Sequence, residues 1–414
     1  MLQNSSIAGM RICIVLRNPV DWRSIKTARA LARYGAEVTI LAFFYGVDIS
    51  RFADEPFSVI TAQPVEAPPS TFSFFVFRGI SNRTLRKART VLRFCRFGMF
   101  GTKLMAEKIV ALKPDIICAV NPDVLKACTQ AAEQLDAYVV YDAHEHWPDH
   151  KYDTKMRRTK RIHLQQVESD LDKNVDLAIT VSDELASDYK AEYNLARKPA
   201  VIYNAPTDIS AAVTPIHDPL RVVYAGNLVG DRGLLDLLMA VRACPDLCLA
   251  IYGSGDREGS LQSFIRKHGL ANRVQIHAPV PVDNLIETLS DHDIGVLAYP
   301  CLSRHFDGAL PNKFFEYLSA GLAIIAPKTK ALSRVSAAHP REFALLLETP
   351  DAPSIAAALD KLSQDKEQLL QMKRAALDLA QQFAGDVQGQ RLLLLYEEML
   401  RTEPKALSAA CGKH

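Results

Sequence analysis

The segment that decides the fold is residues 10–42, which begins with the apolar run MRICIVL (10–16). Polar turn residues follow this run, then a helical pattern over 25–34 and a second apolar run, EVTILA (37–42). Gly35 stands where a helix end favours a residue that tolerates left-handed backbone. This strand–helix–strand order predicts parallel strands covered by helices. The start of the chain therefore predicts an α/β fold.

The same alternation recurs along the chain and is interrupted once, between Asn204 and Pro219, where prolines and polar residues prevent a helix or a central strand. We therefore predict two Rossmann-like, doubly wound domains facing a cleft. The N-terminal domain is placed at 10–205, the linker at 206–219 and the C-terminal domain at 220–383. Sequence alone leaves open whether a final helix, at about 384–400, packs back on the first domain.

Composition sets limits on the class of protein. The 414 residues are 48% hydrophobic and 23% charged with a net charge of +2, so no overall attraction to nucleic acid is expected. No standard export signal or run of 18 apolar residues occurs, which favours a cytoplasmic protein. The cysteines lie scattered in apolar runs, and the Cys244/Cys248 pair lacks a second pair at ligand spacing, so no metal site is expected there.

Two glycine-rich loops follow apolar runs in the C-terminal half. Open parallel sheets bind ligands beyond the carboxyl ends of their strands, where such loops lie. The loop GNLVGDRG (226–233) lets the backbone approach a ligand, and Arg232 supplies a charge suited to phosphate. The loop YGSGD (252–256) has the same chemistry. Each loop alone is also compatible with a plain glycine-rich connection.

A third segment, LPNKFFEYLSA (310–320), is more specific. We expect a flexible polar stretch over 305–309, then a helix capped by Asn312. Lys313 and Glu316 are three residues apart, so they share one face near the helix start, where a diphosphate is attracted. Glu316 can accept hydrogen bonds from a sugar hydroxyl. An ordinary Lys–Glu pair on a solvated helix is the alternative.

Taken together, these three segments resemble the donor half of family 4 glycosyltransferases, which have the two-domain GT-B fold. The first half is similar to the same family more loosely, through KPDII (113–117), YDAHE (141–145), VSDEL (181–185) and VIYNAP (201–206). The resemblance implies a transferase that uses a UDP- or GDP-linked sugar, retains the anomeric configuration and needs no metal or other cofactor.

The resemblance also implies roles for individual residues. The predicted catalytic residues are His144, Arg232, Lys313 and Glu316, with Arg232 and Lys313 on the donor diphosphate and His144 on donor sugar or acceptor. The predicted donor-binding residues are Gly226, Asn227, Gly253, Gly255, Gly308, Ala309, Leu310, Pro311 and Asn312. The predicted acceptor-side residues are Arg23 and Glu145. Within the cluster around His144, the assignment among Asp142, Glu145 and His146 stays open.

The sequence departs from the family pattern at three places, and the departure at Gly308 leaves the sugar undetermined. Asn227 stands where the family often has an arginine, and Gly308 replaces the first of two glutamates. The glycine-rich loop after the first strand is absent, and NPVDWR (18–23) stands there. We assign Arg23 to the acceptor side, with a capped helix start and an exposed arginine as the alternative.

The segment Arg78–Arg96 contains seven basic residues and no acidic one, interleaved with apolar residues. Such a basic amphipathic pattern is typical of elements that bind anionic lipid. A second basic run occupies residues 151–161. We expect a protein on the inner face of the cytoplasmic membrane with a lipid-linked acceptor from envelope polysaccharide or glycolipid synthesis. Solvated helix faces are the alternative, and a nucleic-acid partner is not expected.

Other classes of protein remain as alternatives. A nucleotide-sugar epimerase needs a fuller set of acid and base residues, and a degenerate family member would bind donor without turnover. A metal-dependent transferase of the other common fold would use Asp291 and Asp293, which form an acid-x-acid pattern. A dinucleotide-dependent dehydrogenase is disfavoured, because no G-x-G-x-x-G follows Leu16.

Overall fold

The structure is a computed structural model, and it describes residues 5–17, 20–43, 48–62, 101–145, 165–301 and 303–402. Its strands form two sheets in which all pairings are parallel. The strands of the first sheet are β1 (Arg11–Leu16), β2 (Glu37–Ala42), β3 (Ser58–Thr61), β4 (Ile116–Val120), β5 (Tyr138–Ala143), β6 (Leu177–Thr180) and β7 (Ala200–Val201). The strands of the second sheet are β8 (Leu220–Ala225), β9 (Leu247–Tyr252), β10 (Val274–His277), β11 (Ile294–Val296), β12 (Ala323–Pro327) and β13 (Ala344–Leu347).

The order of the strands identifies both sheets as doubly wound. The first sheet runs β3-β2-β1-β4-β5-β6-β7 and the second runs β10-β9-β8-β11-β12-β13. In each sheet the chain starts at a central strand, moves to one edge and then returns to fill the other side. This is the Rossmann-type order, with a crevice where the direction of winding reverses. The predicted fold class is therefore confirmed.

Helices connect most of the strands and cover the sheets. In the first half they include α1 (Trp22–Arg33), α2 (101–112), α3 (Pro122–Leu135), α4 (Leu171–Asn174) and α5 (Asp183–Glu192). In the second half they are α6 (Leu234–Ala243), α7 (Glu258–Lys267), α8 (Leu285–Ser290), α9 (Arg304–Gly308), α10 (Asn312–Ser319), α11 (Lys330–Ala338), α12 (Ala352–Gln364), α13 (Lys366–Phe383) and α14 (Gly385–Thr402).

Strand β1 shows why its sequence is apolar throughout. Ile12 and Ile14 join a core cluster with residues of α1, whereas Cys13 and Val15 join a cluster with residues of α3 on the opposite face. Successive side chains of a strand point to opposite faces, so a strand covered on both sides cannot alternate with polar residues. Burial also raises the pKa of the Cys13 thiol to about 12.

Helix α14 is the last described element, and it lies against the first half of the chain. Leu392, Tyr396 and Met399 are buried in the core cluster that contains residues of β1 and α1. The side chain of Gln388 accepts a hydrogen bond of 3.0 Å from the Tyr203 backbone N–H, just before the segment that joins the two sheets. The chain thus returns from the second sheet to complete the core of the first.

The two basic runs, Arg78–Arg96 and 151–161, lie outside the described residues, as do Asn18, Pro19 and His146. In the ranges given above, no helix is both long enough and apolar enough to span a bilayer.

Candidate active site

Three loops meet at the carboxyl edge of the second sheet. The loops after β8, β9 and β11 begin at Gly226, Gly253 and Leu297, and β8 and β11 are the central pair where the winding reverses. The backbone N–H of Gly226 donates to the Tyr252 carbonyl at 2.8 Å, which joins the first two loops. The predicted glycine-rich loops therefore lie side by side in the crevice where doubly wound sheets bind ligands.

The glycines of these loops have no room for side chains. A Cβ atom on Gly253 would lie 1.9 Å from the Gly226 carbonyl oxygen, and one on Gly255 would lie 2.3 Å from the Leu228 carbonyl oxygen. Gly226 has a φ of +137°, and a Cβ there would lie 2.3 Å from Nζ of Lys313. Gly253 and Gly255 allow the two loops to stack, and Gly226 makes space for the Lys313 side chain.

Lys313 is held over the end of β8 by its neighbours. Its Nζ lies 5.2 Å from the ring centroid of Tyr224, within the range of a cation–π contact. Burial lowers the pKa of Lys313 to about 8, with a contribution from the positive charge of Arg232 and an opposing one from Glu316. Arg232 itself lies 5.8 Å above the ring of Phe306. The two predicted phosphate-binding cations therefore converge on one place.

The prediction that Asn312 caps the helix is wrong. Pro311 occupies the capping position, and Asn312 is the first residue of α10. The Asn312 side-chain oxygen instead accepts a hydrogen bond of 2.8 Å from Nδ2 of Asn204. Proline fixes an extended backbone just before the helix and so takes the capping position, and the helix starts one residue earlier than predicted. Asn312 consequently connects the donor-side helix to the segment between the domains.

Glu316 faces cations from both halves of the chain. Its pKa is raised by burial, while the charges of Lys313 and Lys26 act in the opposite direction. Lys26 lies on α1 and donates a hydrogen bond of 2.8 Å to the Ala205 carbonyl. Burial and the charge of Arg23 lower the pKa of Lys26 to about 7, opposed by Glu316. Sequence analysis missed Lys26. The feature that could have suggested it as a site residue is its position three residues after Arg23 on the same helix.

Arg23 is turned inward, so the alternative of an exposed arginine at the helix start is wrong, and the acceptor-side assignment stays a prediction. Its Nε and Nη2 donate to the two carboxylate oxygens of Asp142 at 3.0 and 2.7 Å, and Nη1 donates to the Ile202 carbonyl at 2.7 Å. Burial alone would raise the pKa of Asp142, but Arg23 and His144 hold it well below its usual range. The paired fork of Arg23 positions Asp142 beside His144.

His144 lies at the end of β5 between two carboxylates. Nε2 lies 3.2 Å from Oδ2 of Asp142, and Nδ1 lies 3.6 Å from Oδ2 of Asp21. Asp21 also caps α1 by accepting from the Ser24 backbone N–H at 2.8 Å. The backbone of Glu145, the other predicted acceptor-side residue, accepts a hydrogen bond of 3.3 Å from the Tyr189 hydroxyl. Two carboxylates on opposite ring nitrogens can fix the orientation of the imidazole.

The segment before α10 is more ordered than predicted. Residues 304–308 form the short helix α9, because Ser303 caps it by accepting from the Phe306 backbone N–H at 3.3 Å. The Gly308 carbonyl accepts a hydrogen bond of 2.6 Å from Oγ of Ser182, and Leu310 is buried in the core. Of the other predicted donor-side residues, Ala309 donates its N–H to the His305 carbonyl at 2.8 Å.

Asp293, the candidate metal ligand, has a structural role. Its carboxylate pairs with Nζ of Lys373 at 3.0 Å, and both side chains are fully buried. Lys373 also donates to Thr214, and His217 lies 3.2 Å from Asp293, so the cluster fixes the segment between the sheets. Within the described ranges, no group of three or more His, Cys, Asp or Glu side chains is arranged to hold a metal ion.

Comparisons with known families match both halves of the chain. Residues 207–378 match the family described as "Glycosyl transferases group 1", and residues 24–205 match "Glycosyltransferase Family 4". No curated protein matches the chain as a sequence relative.

Solved structures resemble the whole chain. A glycosyltransferase from Rickettsia africae has a TM-score of 0.68 at 14% identity, over 95% of this chain and 100% of the other. A sucrose-phosphate synthase from Thermosynechococcus elongatus has a TM-score of 0.70 at 15% identity, with the same coverage. HepE of Anabaena, in complex with UDP and glucose, has a TM-score of 0.70 at 15% identity, over 94% of this chain and 100% of the other. At these identities the likeness concerns the fold.

Proposed function

Because the chain belongs to the family 4 glycosyltransferases with the GT-B fold, we propose that it transfers a hexosyl group from UDP- or GDP-sugar to a lipid-linked glycan. The observation that carries this proposal is the position of Lys313 above Gly226, with Arg232 beside it, at the crevice of the second sheet. Two cations and closely packed glycine loops match the needs of a diphosphate.

The chemistry follows from charge. Breaking the anomeric C–O bond leaves negative charge growing on the diphosphate, and cations placed beside it before the reaction stabilise the transition state. Lys313 and Arg232 supply that charge, and Glu316 accepts hydrogen bonds from a hydroxyl of the donor. The reaction retains the anomeric configuration by front-face attack, in which the leaving phosphate helps to take the acceptor proton. No metal ion takes part.

His144 belongs to the other side of the reaction. Held between Asp142 and Asp21, its ring contacts the donor sugar or the acceptor near the reacting centre. Lys26 adds a cation from the first domain that faces Glu316. We assign Lys26 to the cleft between the domains, where its positive charge offsets the negative charge of Glu316 until the donor binds.

The acceptor and the location in the cell rest on the sequence. The basic runs at Arg78–Arg96 and 151–161 suit the anionic inner face of the cytoplasmic membrane, so the protein binds there peripherally and receives a lipid-linked acceptor. One similar structure is named as a lipopolysaccharide outer core galactosyltransferase, and others contain UDP or UDP-glucose. These names support an envelope glycan and a UDP-linked donor as the first pair to test.

The test is a nucleotide-release assay with UDP- and GDP-sugars, a lipid extract as acceptor, and EDTA in parallel reactions. We expect release with one donor, dependent on the extract and unchanged by EDTA, and a loss of about 100-fold or more in His144→Ala, the scale of lost acid–base or positioning contributions. Nucleotide binding with no release from any donor would instead favour a binding-only family member. Flotation with anionic vesicles tests the membrane proposal, and absence of binding would contradict it.

A further inference from the structure

The two domains are joined at a second place, away from the linker, by helix α5 of the first domain. This helix packs against α9 and α11 of the second domain. Helix α9 ends at Gly308 and leads directly into the donor-side residues 309–312. A contact that fixes α9 therefore acts on the donor-side segment, although α5 belongs to the other domain.

The central contact is a buried hydrogen bond. Ser182, which is fully buried, donates from Oγ to the Gly308 carbonyl at 2.6 Å. The same oxygen accepts a bond of 3.3 Å from the Leu185 backbone N–H and so caps α5. Gly308 leaves little space, since a Cβ there would lie 3.3 Å from Cδ2 of Leu185. The backbone of the donor-side segment thus rests directly on the start of α5.

Ion pairs surround this bond. In each of them the acidic residue lies on α5 and the arginine lies on the second domain. Arg334 of α11 lies 2.5 Å from Glu184 and 3.1 Å from Asp183. Arg304 of α9 lies 3.5 Å from Asp188 and 3.5 Å from Glu192. Glu184 is the least exposed of these acids, with 15% of its side chain accessible, so its pair with Arg334 is the least screened by solvent.

A cavity of about 470 Å³ lies along this contact and is lined by residues of both domains, including Ser187, Lys198 and Lys330. Water can enter between the charged side chains, so the outer pairs are expected to weaken in salt. The Ser182–Gly308 bond is buried, although Gly308 also borders the cavity. The contact therefore consists of one buried bond and a surrounding set of solvent-accessible charges.

We propose that α5 positions the donor-side segment, with Ser182 as the positioning residue, so that residues 308–312 take their binding geometry only when the two domains are docked. The nucleotide end of the donor, at Lys313 and Gly226, belongs to the second domain alone. The sugar end, next to Gly308, is completed by the first domain. Two measurements test this inference: the kinetic one rests on the proposed function, and the structural one does not.

The structural arm measures amide hydrogen exchange over residues 304–312 in the unliganded full-length protein. Ser182→Ala should speed exchange there by about tenfold, the scale of one lost buried hydrogen bond, and Ser182→Thr should restore protection. Arg334→Glu should also speed exchange, and adding Glu184→Arg should reverse part of the effect. Arg341→Ala, which removes a pair with Asp378 on the surface of the second domain, is the matched control. Unchanged exchange in both Ser182→Ala and Arg334→Glu would overturn the proposal.

The kinetic arm separates positioning from general destabilisation. Ser182→Ala should lower kcat/KM for the nucleotide sugar by about tenfold while the affinity for free UDP or GDP changes less than twofold. A parallel loss of nucleotide affinity would mean that the variant damages the whole second domain, which contradicts the proposal. If no donor is turned over by the wild type, the proposed function fails while the exchange measurement still decides this inference.

Discussion

Gly253 and Gly259 are six residues apart, yet only the first is confined. A Cβ on Gly253 would meet the backbone oxygen of Gly226 at 1.9 Å, whereas nothing lies within 4 Å of the Cβ position of Gly259 on α7. A backbone carbonyl within a strand-end loop cannot move aside without breaking the stacking of the two loops.

We therefore expect Gly253→Ala to lower the free energy of unfolding by about 3 kcal/mol or more and to abolish nucleotide binding. Gly259→Ala should change stability by less than about 1 kcal/mol, and an increase would be consistent with alanine's greater helix propensity. Urea unfolding of both variants measures the difference. Equal stabilities would show that the loops do not stack as described.

The pKa of Lys313 near 8 predicts how nucleotide affinity depends on pH. The diphosphate binds the charged ammonium, so affinity is fully present below pH 8 and falls by up to about tenfold per pH unit above it. Titration calorimetry with UDP or GDP between pH 7 and 9 checks this. Lys313→Met should bind weakly with a flatter profile, whereas Lys26→Met should keep the decline above pH 8. A wild-type affinity that is constant over this range would contradict the assignment.

Sequence analysis found the site residues whose position is indicated by their neighbours in sequence. Lys313 and Arg232 stand in loops next to apolar runs, so their place at a strand end could be predicted. Ser182 and Lys26 could not, because their partners, Gly308 and Ala205, lie more than 120 residues away in sequence. The buried pairing of Arg23 was missed for the same reason: its partner Asp142 is 119 residues away.

At the scale of elements, α14 provides the clearest test. Leu392 and Leu394 are two residues apart on the same helix, but Leu392 is buried in the core of the first sheet, while 64% of Leu394 is exposed. A helix places such residues on different faces. The packing of α14 therefore predicts unequal effects of the same substitution.

Leu392→Ala should lower the free energy of unfolding by about 2–5 kcal/mol, since it leaves a cavity between α14, α1 and the sheet. Leu394→Ala should cost less than about 0.5 kcal/mol. Denaturant unfolding followed by circular dichroism measures both. Equal and small effects would indicate that α14 does not pack on the first domain.

Strands and long helices were predictable from hydrophobic period, but short elements were not. The stretch 305–309 reads as a polar loop, because one turn of helix has too few residues to show a period. Its helical form in α9 depends on the Ser303 cap and on the contact with α5. The start of α10 differs from prediction because Pro311 takes the capping position.

At the scale of the whole molecule, the second sheet holds the cations and glycines of the donor side, and the first holds His144 with its two carboxylates. Asn204 and Ser182 connect the two halves through contacts to Asn312 and Gly308, and Lys26 of the first half interacts electrostatically with Glu316 of the second. The sequence predicted both sheets and the crevice. It could not predict these connections, which depend on how the domains are docked.

The central claim is that Lys313 holds the donor diphosphate, and nucleotide binding by purified full-length protein tests it most directly. A thermal-shift panel of UDP, GDP and their common sugars should identify one stabilising nucleotide in the wild type. Lys313→Ala should abolish that shift, since the loss of a charged bond to phosphate weakens binding by about tenfold to a hundredfold. Lys366→Ala, which removes an exposed lysine paired with Asp218 on the same domain, should keep it. A shift that is retained in Lys313→Ala would contradict the placement of the diphosphate.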